Sequence, residues 1–387
     1  MPINYGPDYG IPTLDLNFTK NKSLIDTISG RNLITFTRSS TGTYVGSDGL
    51  IKTAASNEPR FDHNPVTGES LGLLIEESRT NLLTYSEQLD NGVWSLTNGT
   101  VTANSVTSPD GTTTADAITP SASFRLRQNY TGTVTNPTFS VYVKPNTATD
   151  ISVSIVGSVE YEVTFNFATR TFNTIGSNVT QYGYHLLPNG WYRVWIGAAS
   201  YTFTGANGPG FRGDFGSFYA WGAQLEAGSF PTSYIPTSGT TLTRSADTAS
   251  ITGTNFSSWY NQNAGTVLFQ SDQVTTTDNV TAISISDGTS NQRIRILFRT
   301  ADRGRAYITS SGVDSLDQTI TQAGTRYALG FSSASATFSK GGLNGTEDTS
   351  VVIPAVSQLE LLSNQRVSRL TYYPKRLPND QLQVLTR

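Results

Sequence analysis

One stretch, Gly190 to Pro236, constrains the chain most. It reads Gly-Trp-Tyr-Arg-Val-Trp-Ile-Gly and then Gly-Ser-Phe-Tyr-Ala-Trp-Gly-Ala-Gln-Leu-Glu-Ala-Gly-Ser-Phe-Pro-Thr-Ser-Tyr-Ile-Pro. Alternate residues of a strand point to opposite faces of its sheet, so the first run splits into Trp191, Arg193, Trp195 and Tyr192, Val194, Ile196. Arginine is seldom buried unpaired, which makes the first set the expected outward face and the second the core. The second run splits into Phe218, Ala220, Gly222, Gln224 and Tyr219, Trp221, Ala223, Leu225, with the second set expected inside and Gly228, Pro231 and Pro236 ending the strand. Two long strands of one sheet follow.

Strands of this kind recur along the whole chain with turn residues between them, and helical spacing is absent, so the expected class is all-β: tandem antiparallel β-sandwiches, jelly rolls, behind a small β-rich segment. The 387 residues exceed one sandwich. Three parts are expected. Residues 1–80 form an adaptor, with a hairpin from Thr43 to Lys52 turning at Asp48-Gly49 and a second from Arg60 to Ile75; it is too poor in apolar residues to fold alone. Residues 81–247 form a jelly roll and residues 248–387 a second sandwich. Thr-Arg-Ser occurs at 37–39 and again at 243–245, which is too short to count as a repeat.

Only 14% of residues are charged and the formal net charge is −3, with Lys and Arg scattered singly, so no basic field would gather a phosphate backbone. Nucleic acid and membrane insertion are excluded as expectations, since no apolar run approaches the roughly 20 residues of a bilayer span. Cysteine is absent and Met1-Pro-Ile-Asn-Tyr-Gly carries no secretory pattern.

Trp-Gly-Ala-Gln-Leu-Glu-Ala-Gly-Ser-Phe-Pro-Thr-Ser-Tyr-Ile-Pro-Thr, from Trp221, resembles the closing strand of carbohydrate-binding jelly-roll modules of bacteriophage structural proteins. The run from Thr35 to Lys52, with Asn57 to His63 and Gly72 to Leu83, is similar to a leader that precedes such modules in phage tail-fibre and head-fibre proteins. The ending Tyr372 to Thr386 resembles that of concanavalin A-like, laminin-G-like domains, whose last strand is followed by a short helix; Asn379 is its expected N-cap. The resemblance implies a virion protein made in the host cytoplasm, a homo-oligomer with a trimer first, joined to other virion proteins through residues 1–80, and in contact with host-surface polysaccharide. It implies no organic cofactor, but a structural Ca²⁺ with Glu87, Asp214 or Glu226 as oxygen donors.

Sugar recognition needs flat apolar faces and directional polar groups. The expected glycan-binding residues are Trp191, Arg193 and Trp195, with Tyr182, Tyr184, Arg125 and Arg127 beside them and Asn129 continuing the last pair. No catalytic residue is assigned. His63 and His185 are the only histidines and stand far apart in sequence, which leaves little for a histidine triad or metal site. Glu58, Arg60, Asp62 and His63 sit among turns, where such groups bond locally. Glu160 and Glu162 share a strand face about 7 Å apart, near the inverting-glycosidase spacing, but read as a solvated pair. The resulting expectation is a non-enzymatic phage fibre or appendage subunit that binds glycans. A purely structural decoration protein and a polysaccharide depolymerase are the rivals.

Overall fold

The computed structural model describes residues 10–387 apart from 157–159, 214–215, 274–278, 301 and 363. The chain is all-β, and its described strands form antiparallel sheets of eleven, eight, seven, two and two strands. Both expected hairpins form: Gly42–Val45 pairs with Ile51–Ala54, and Arg60–His63 with Ser70–Ile75. Gly49 takes φ +77 in the first turn, a conformation that costs glycine nothing.

The eleven-stranded sheet runs from Trp94 to Ala227 and folds over so that strands Asp150–Val156 and Glu160–Asn166 face Pro137–Pro145 and Tyr192–Ala198 across one core. Tyr192, Val194 and Ile196 enter that core as the alternation requires. Strand Phe218–Ala227 departs from simple alternation. Phe218, Ala220, Ala223 and Leu225 point into the core, while Trp221 packs on the other face. The register against Pro137–Pro145 shifts at this point and Gly222 takes φ +64, so a bulge resets the parity in mid-strand.

The second sandwich packs the eight-stranded sheet on the seven-stranded one. Residues 10–80 are not set apart from it. Leu14–Asn17 and Ser70–Ile75 pair with Gln365–Tyr373 in the larger sheet, and Thr35–Thr37 pairs with Thr248–Thr252 in the smaller. Leu14, Leu16, Phe18, Leu24, Leu33, Ile34, Phe36, Leu73 and Ile75 all lie in its core. The apolar poverty of the segment has this cause: its hydrophobic residues complete a core whose remainder comes from Ala249 onward.

The final helix, Asn379–Thr386, covers the outer side of the larger sheet with Leu382 and Leu385 against Leu268, Ala328 and Tyr373. Its cap position is Pro378, one residue before the expected one. Asn379 is the first helical residue; its amide donates to Glu347 at 3.0 Å and its oxygen accepts from Arg376 at 2.9 Å.

Gly72 marks where the early hairpin docks on the late strand. It has φ +98, and a Cβ there would strike the carbonyl of Val367. Gly72→Ala should cost on the order of 2–3 kcal/mol from backbone strain and the displaced strand. Urea denaturation would measure it, and an unchanged midpoint would show that the docking is not held at this point.

Candidate functional site

The odd-numbered face of strand Tyr192–Ala198 is covered, against expectation. Trp191 is 2% exposed and donates from its indole to the Thr107 carbonyl at 3.2 Å. Arg193 is 7% exposed; it donates to the Thr232 carbonyl at 2.7 Å and Ser140 Oγ at 2.9 Å, and its guanidinium lies 5.2 Å from the ring centroid of Tyr142. The cover is the chain's own return segment after Gly228 together with Ile51 of the first hairpin. Trp195 alone of the three stays partly open, with its ring 4.7 Å from His185 and resting over Gly183. Tyr182 and Tyr184 pair with Ile196 and Val194, so they fall on the opposite face, where Tyr184 packs 4.9 Å from Phe165. Arg125, Arg127 and Asn129 do alternate outward, with Phe124, Leu126 and Gln128 buried between them. Two strands separate them from Trp195.

What covers this face also builds a cleft of about 510 Å³. Its walls are the two early hairpins, residues 184–187, residues 231–234 and Arg366 from the second sandwich. Tyr44, His63, His185 and Arg193 line it, so the two histidines of the chain meet in one place. His63 is 5% exposed; Val45 O binds its Nδ1 at 3.0 Å, and Nε2 has no partner among the described residues. Arg193 Nε is likewise unpartnered there. Asp62 accepts from Arg366 at 2.6 Å and from the Val45 amide at 2.8 Å. Burial opposes the charge on Arg366, but the adjacent Asp62 carboxylate outweighs it and raises the guanidinium pKa. Burial pushes the Tyr142 hydroxyl up as well. The cleft therefore offers a fixed cation, hydrogen-bonding ring nitrogens and aromatic edges, an arrangement suited to binding a polar ligand.

Beneath the cleft lies a buried ion network. Arg60 pairs with Glu76 at 2.7 Å and Asp247 at 2.5 Å, Arg38 pairs with Asp247 at 3.1 Å, and Arg244 stands 3.5 Å from Glu76. Ser233 donates to both oxygens of Glu76, at 2.8 and 2.7 Å. The two Thr-Arg-Ser triplets thus have a common reason, since Arg38 and Arg244 converge on one pair of acids. The group Glu58, Arg60, Asp62, His63 is dispersed: Glu58 accepts from the Ala55 amide at 2.7 Å, while the others serve the network or the cleft wall.

Glu162 pairs with Arg212 at 3.2 Å, and the side chain of Glu160 lies outside the described residues. Of the calcium donors implied by the resemblance, the two described ones accept hydrogen bonds from the return segment. Both oxygens of Glu226 are taken by Thr232, Glu87 accepts from Tyr234 at 2.9 Å, and Asp214 lies outside the described residues. Among the described residues no three His, Asp or Glu side chains cluster as metal ligands. Tyr44 and Arg366 escaped the sequence reading, and His63 was read only as a locally bonded turn residue, because they reach the cleft from other strands; the one available signal was that histidine occurs only twice.

No known sequence family and no curated protein matches the chain. Among solved structures, the CBM40 of Ruminococcus gnavus IT-sialidase bound to α2,3-sialyllactose is 12% identical over 33% of this chain and 84% of its own, with a TM-score of 0.28. The K499G mutant of NanB sialidase from Streptococcus pneumoniae is 12% identical over 35% of this chain and 26% of its own, at 0.30. The binding domain of botulinum neurotoxin DC in complex with rat synaptotagmin II is 9% identical over 36% and 40%, at 0.29. These neighbours are a carbohydrate-binding module, a sialidase and the binding domain of a toxin; at such scores they carry no argument about a site.

Proposed function

We propose that this chain is a glycan-binding, non-catalytic appendage protein of a phage particle, and that its glycan site is the cleft between the early hairpins and the jelly roll. The observation that supports it is the pair of deeply buried polar atoms left without partners in a cleft rimmed by Tyr44 and His185, the donor Arg193 Nε and the acceptor His63 Nε2, whose ring gives its Nδ1 hydrogen to Val45 O. Buried polar groups are nearly always satisfied, so these two call for an external group that both accepts and donates, and sugar hydroxyls, which do both, fit. Placement on a virion rests on the leader and closing-strand resemblances. Residues 1–80 carry the exposed Ile11, Ile25 and Ile28, a surface for attachment to another virion protein. A homotrimer would repeat a weak site and raise its effective affinity.

The test is a glycan array on the full chain, including host envelope polysaccharide, repeated with His185→Ala and Tyr44→Ala. Both residues are at least partly exposed, so the fold should survive, and each variant should lose roughly tenfold or more in affinity, as loss of a stacking or hydrogen-bonding side chain does. Binding by neither wild type nor variants would leave the structural decoration reading; release of shortened polysaccharide would favour a depolymerase.

A further inference from the structure

The second sandwich carries an independent cluster on the outer side of its seven-stranded sheet. Strand Arg293–Arg299 sends Ile294, Ile296 and Phe298 into the core, which leaves Arg293 and Arg295 on the opposite face. Strand Arg303–Ser310 likewise buries Ala306 and Ile308 and presents Arg305, Tyr307 and Thr309. The register sets these side chains in rows across four strands: Ser286, Arg293, Thr309, Asp314, and next to it Ser284, Arg295, Tyr307, Asp317.

The guanidinia in these rows have different fates. Arg305 is clamped by Asp317 through two bonds of 2.7 and 2.6 Å. Its other side lies 4.3 Å from the Tyr307 ring centroid, and Arg295 stacks on the same ring at 4.9 Å. Neither Arg293 nor Arg295 has an ion pair or a hydrogen-bond acceptor for its guanidinium among the described residues, and the Nε of each is buried without a partner. Burial and the neighbouring Arg293 charge lower the pKa of Arg295, the signature of cations short of a counter-charge. Asp314, which accepts from Thr309 Oγ1 at 2.6 Å and makes no ion pair with either arginine among the described residues, offsets this lowering only in part.

We infer that Arg293 and Arg295, held by the Tyr307 stack and flanked by the hydroxyls of Ser284, Ser286 and Thr309, form a site for the carboxylate or sulfate groups of an acidic polysaccharide. Alternate residues on a strand are about 7 Å apart, a span that lets two guanidinia engage anionic groups on neighbouring sugars. The ligand is held by charge and hydrogen bonds and not by stacking, because Arg295 and Arg305 both occupy the Tyr307 ring, which is 8% exposed. That occupancy, with two unpaired guanidinia on this face among the described residues, disfavours nucleic acid, whose binding rests on many phosphate contacts and open aromatic faces. The site is separate from the cleft and stands whether or not the cleft binds sugar.

The full chain should be titrated with dextran sulfate, polygalacturonate, uncharged dextran and single-stranded DNA, by calorimetry at two salt concentrations. Dextran sulfate or polygalacturonate should bind, more weakly at the higher salt, and whichever binds tighter identifies sulfate or carboxylate as the preferred anion. Uncharged dextran should not bind at this site. Arg293→Gln/Arg295→Gln should weaken binding at least about tenfold, a loss expected for removed charge-assisted bonds, while Arg31→Gln, an exposed arginine elsewhere, should change nothing. Should the double variant unfold, Arg293→Gln alone leaves the Tyr307 stack in place and should still lower affinity. Absence of binding to both acidic polymers, equal binding by the double variant, or equal binding of single-stranded DNA would each overturn the inference.

Discussion

A chain that starts at residue 82 should fail to fold its second sandwich. The deletion removes three strands of the eight-stranded sheet, Leu14–Asn17, Arg60–His63 and Ser70–Ile75, and Thr35–Thr37 from the seven-stranded one. It also removes nine buried apolar side chains of that core, from Leu14 to Ile75. At about 1.5–3 kcal/mol each, their burial amounts to roughly 14–27 kcal/mol, more than the 5–15 kcal/mol by which a domain is usually stable. Circular dichroism and hydrogen exchange on residues 82–387 should therefore show no cooperative transition for the sheets built from residues 248–387. A cooperative transition with native protection there would mean that the early strands only decorate a finished core.

Replacing Glu76 by Gln should cost about 3–5 kcal/mol at neutral pH, because Arg60 and Arg244 would then face a neutral amide in a buried site. Burial alone would raise the pKa of Glu76, but Arg244, Arg60 and the two Ser233 bonds outweigh it and hold the carboxyl well below its ordinary 4.5. A depressed pKa stabilises the fold fully above that ordinary value, and the stabilisation is lost as the pH falls through and below it. Wild type and variant should thus differ most at neutral pH, and the gap should begin to narrow only once the pH falls below about 4.5 in urea titrations. A gap that stays constant with pH would show that the carboxylate charge is not what holds the network together.

Much of the local architecture was legible in the residues. Alternation placed Tyr192, Val194 and Ile196 in a core and Arg125, Arg127 and Asn129 outside it. Asp48-Gly49 foretold the first hairpin, because few dipeptides accept the positive φ of such a turn. The same rule read Ala223 and Leu225 correctly but misread strand Phe218–Ala227 before Gly222, where Phe218 and Ala220 are core and Trp221 is not, since one inserted residue reverses the parity between the two halves.

The candidate site was legible only in part. Alternation correctly separated Trp191, Arg193 and Trp195 from the core-facing set, but it reports two faces and is silent on what covers each. Here Ile51, Thr232 and Tyr234 cover one of them, and the cleft exists only because they do. Period, turn residues and class are properties of a few consecutive side chains, and so the amino-acid order alone determined an all-β chain with its hairpins. The pairing of Leu16 with Leu370, the meeting of Arg38 and Arg244 on Asp247 and Glu76, and the approach of His63 to His185 were decided by the tertiary structure. Contacts across hundreds of residues leave no local periodicity, because they are selected by which core, charge and hydrogen-bond partners remain unsatisfied once the local elements have formed.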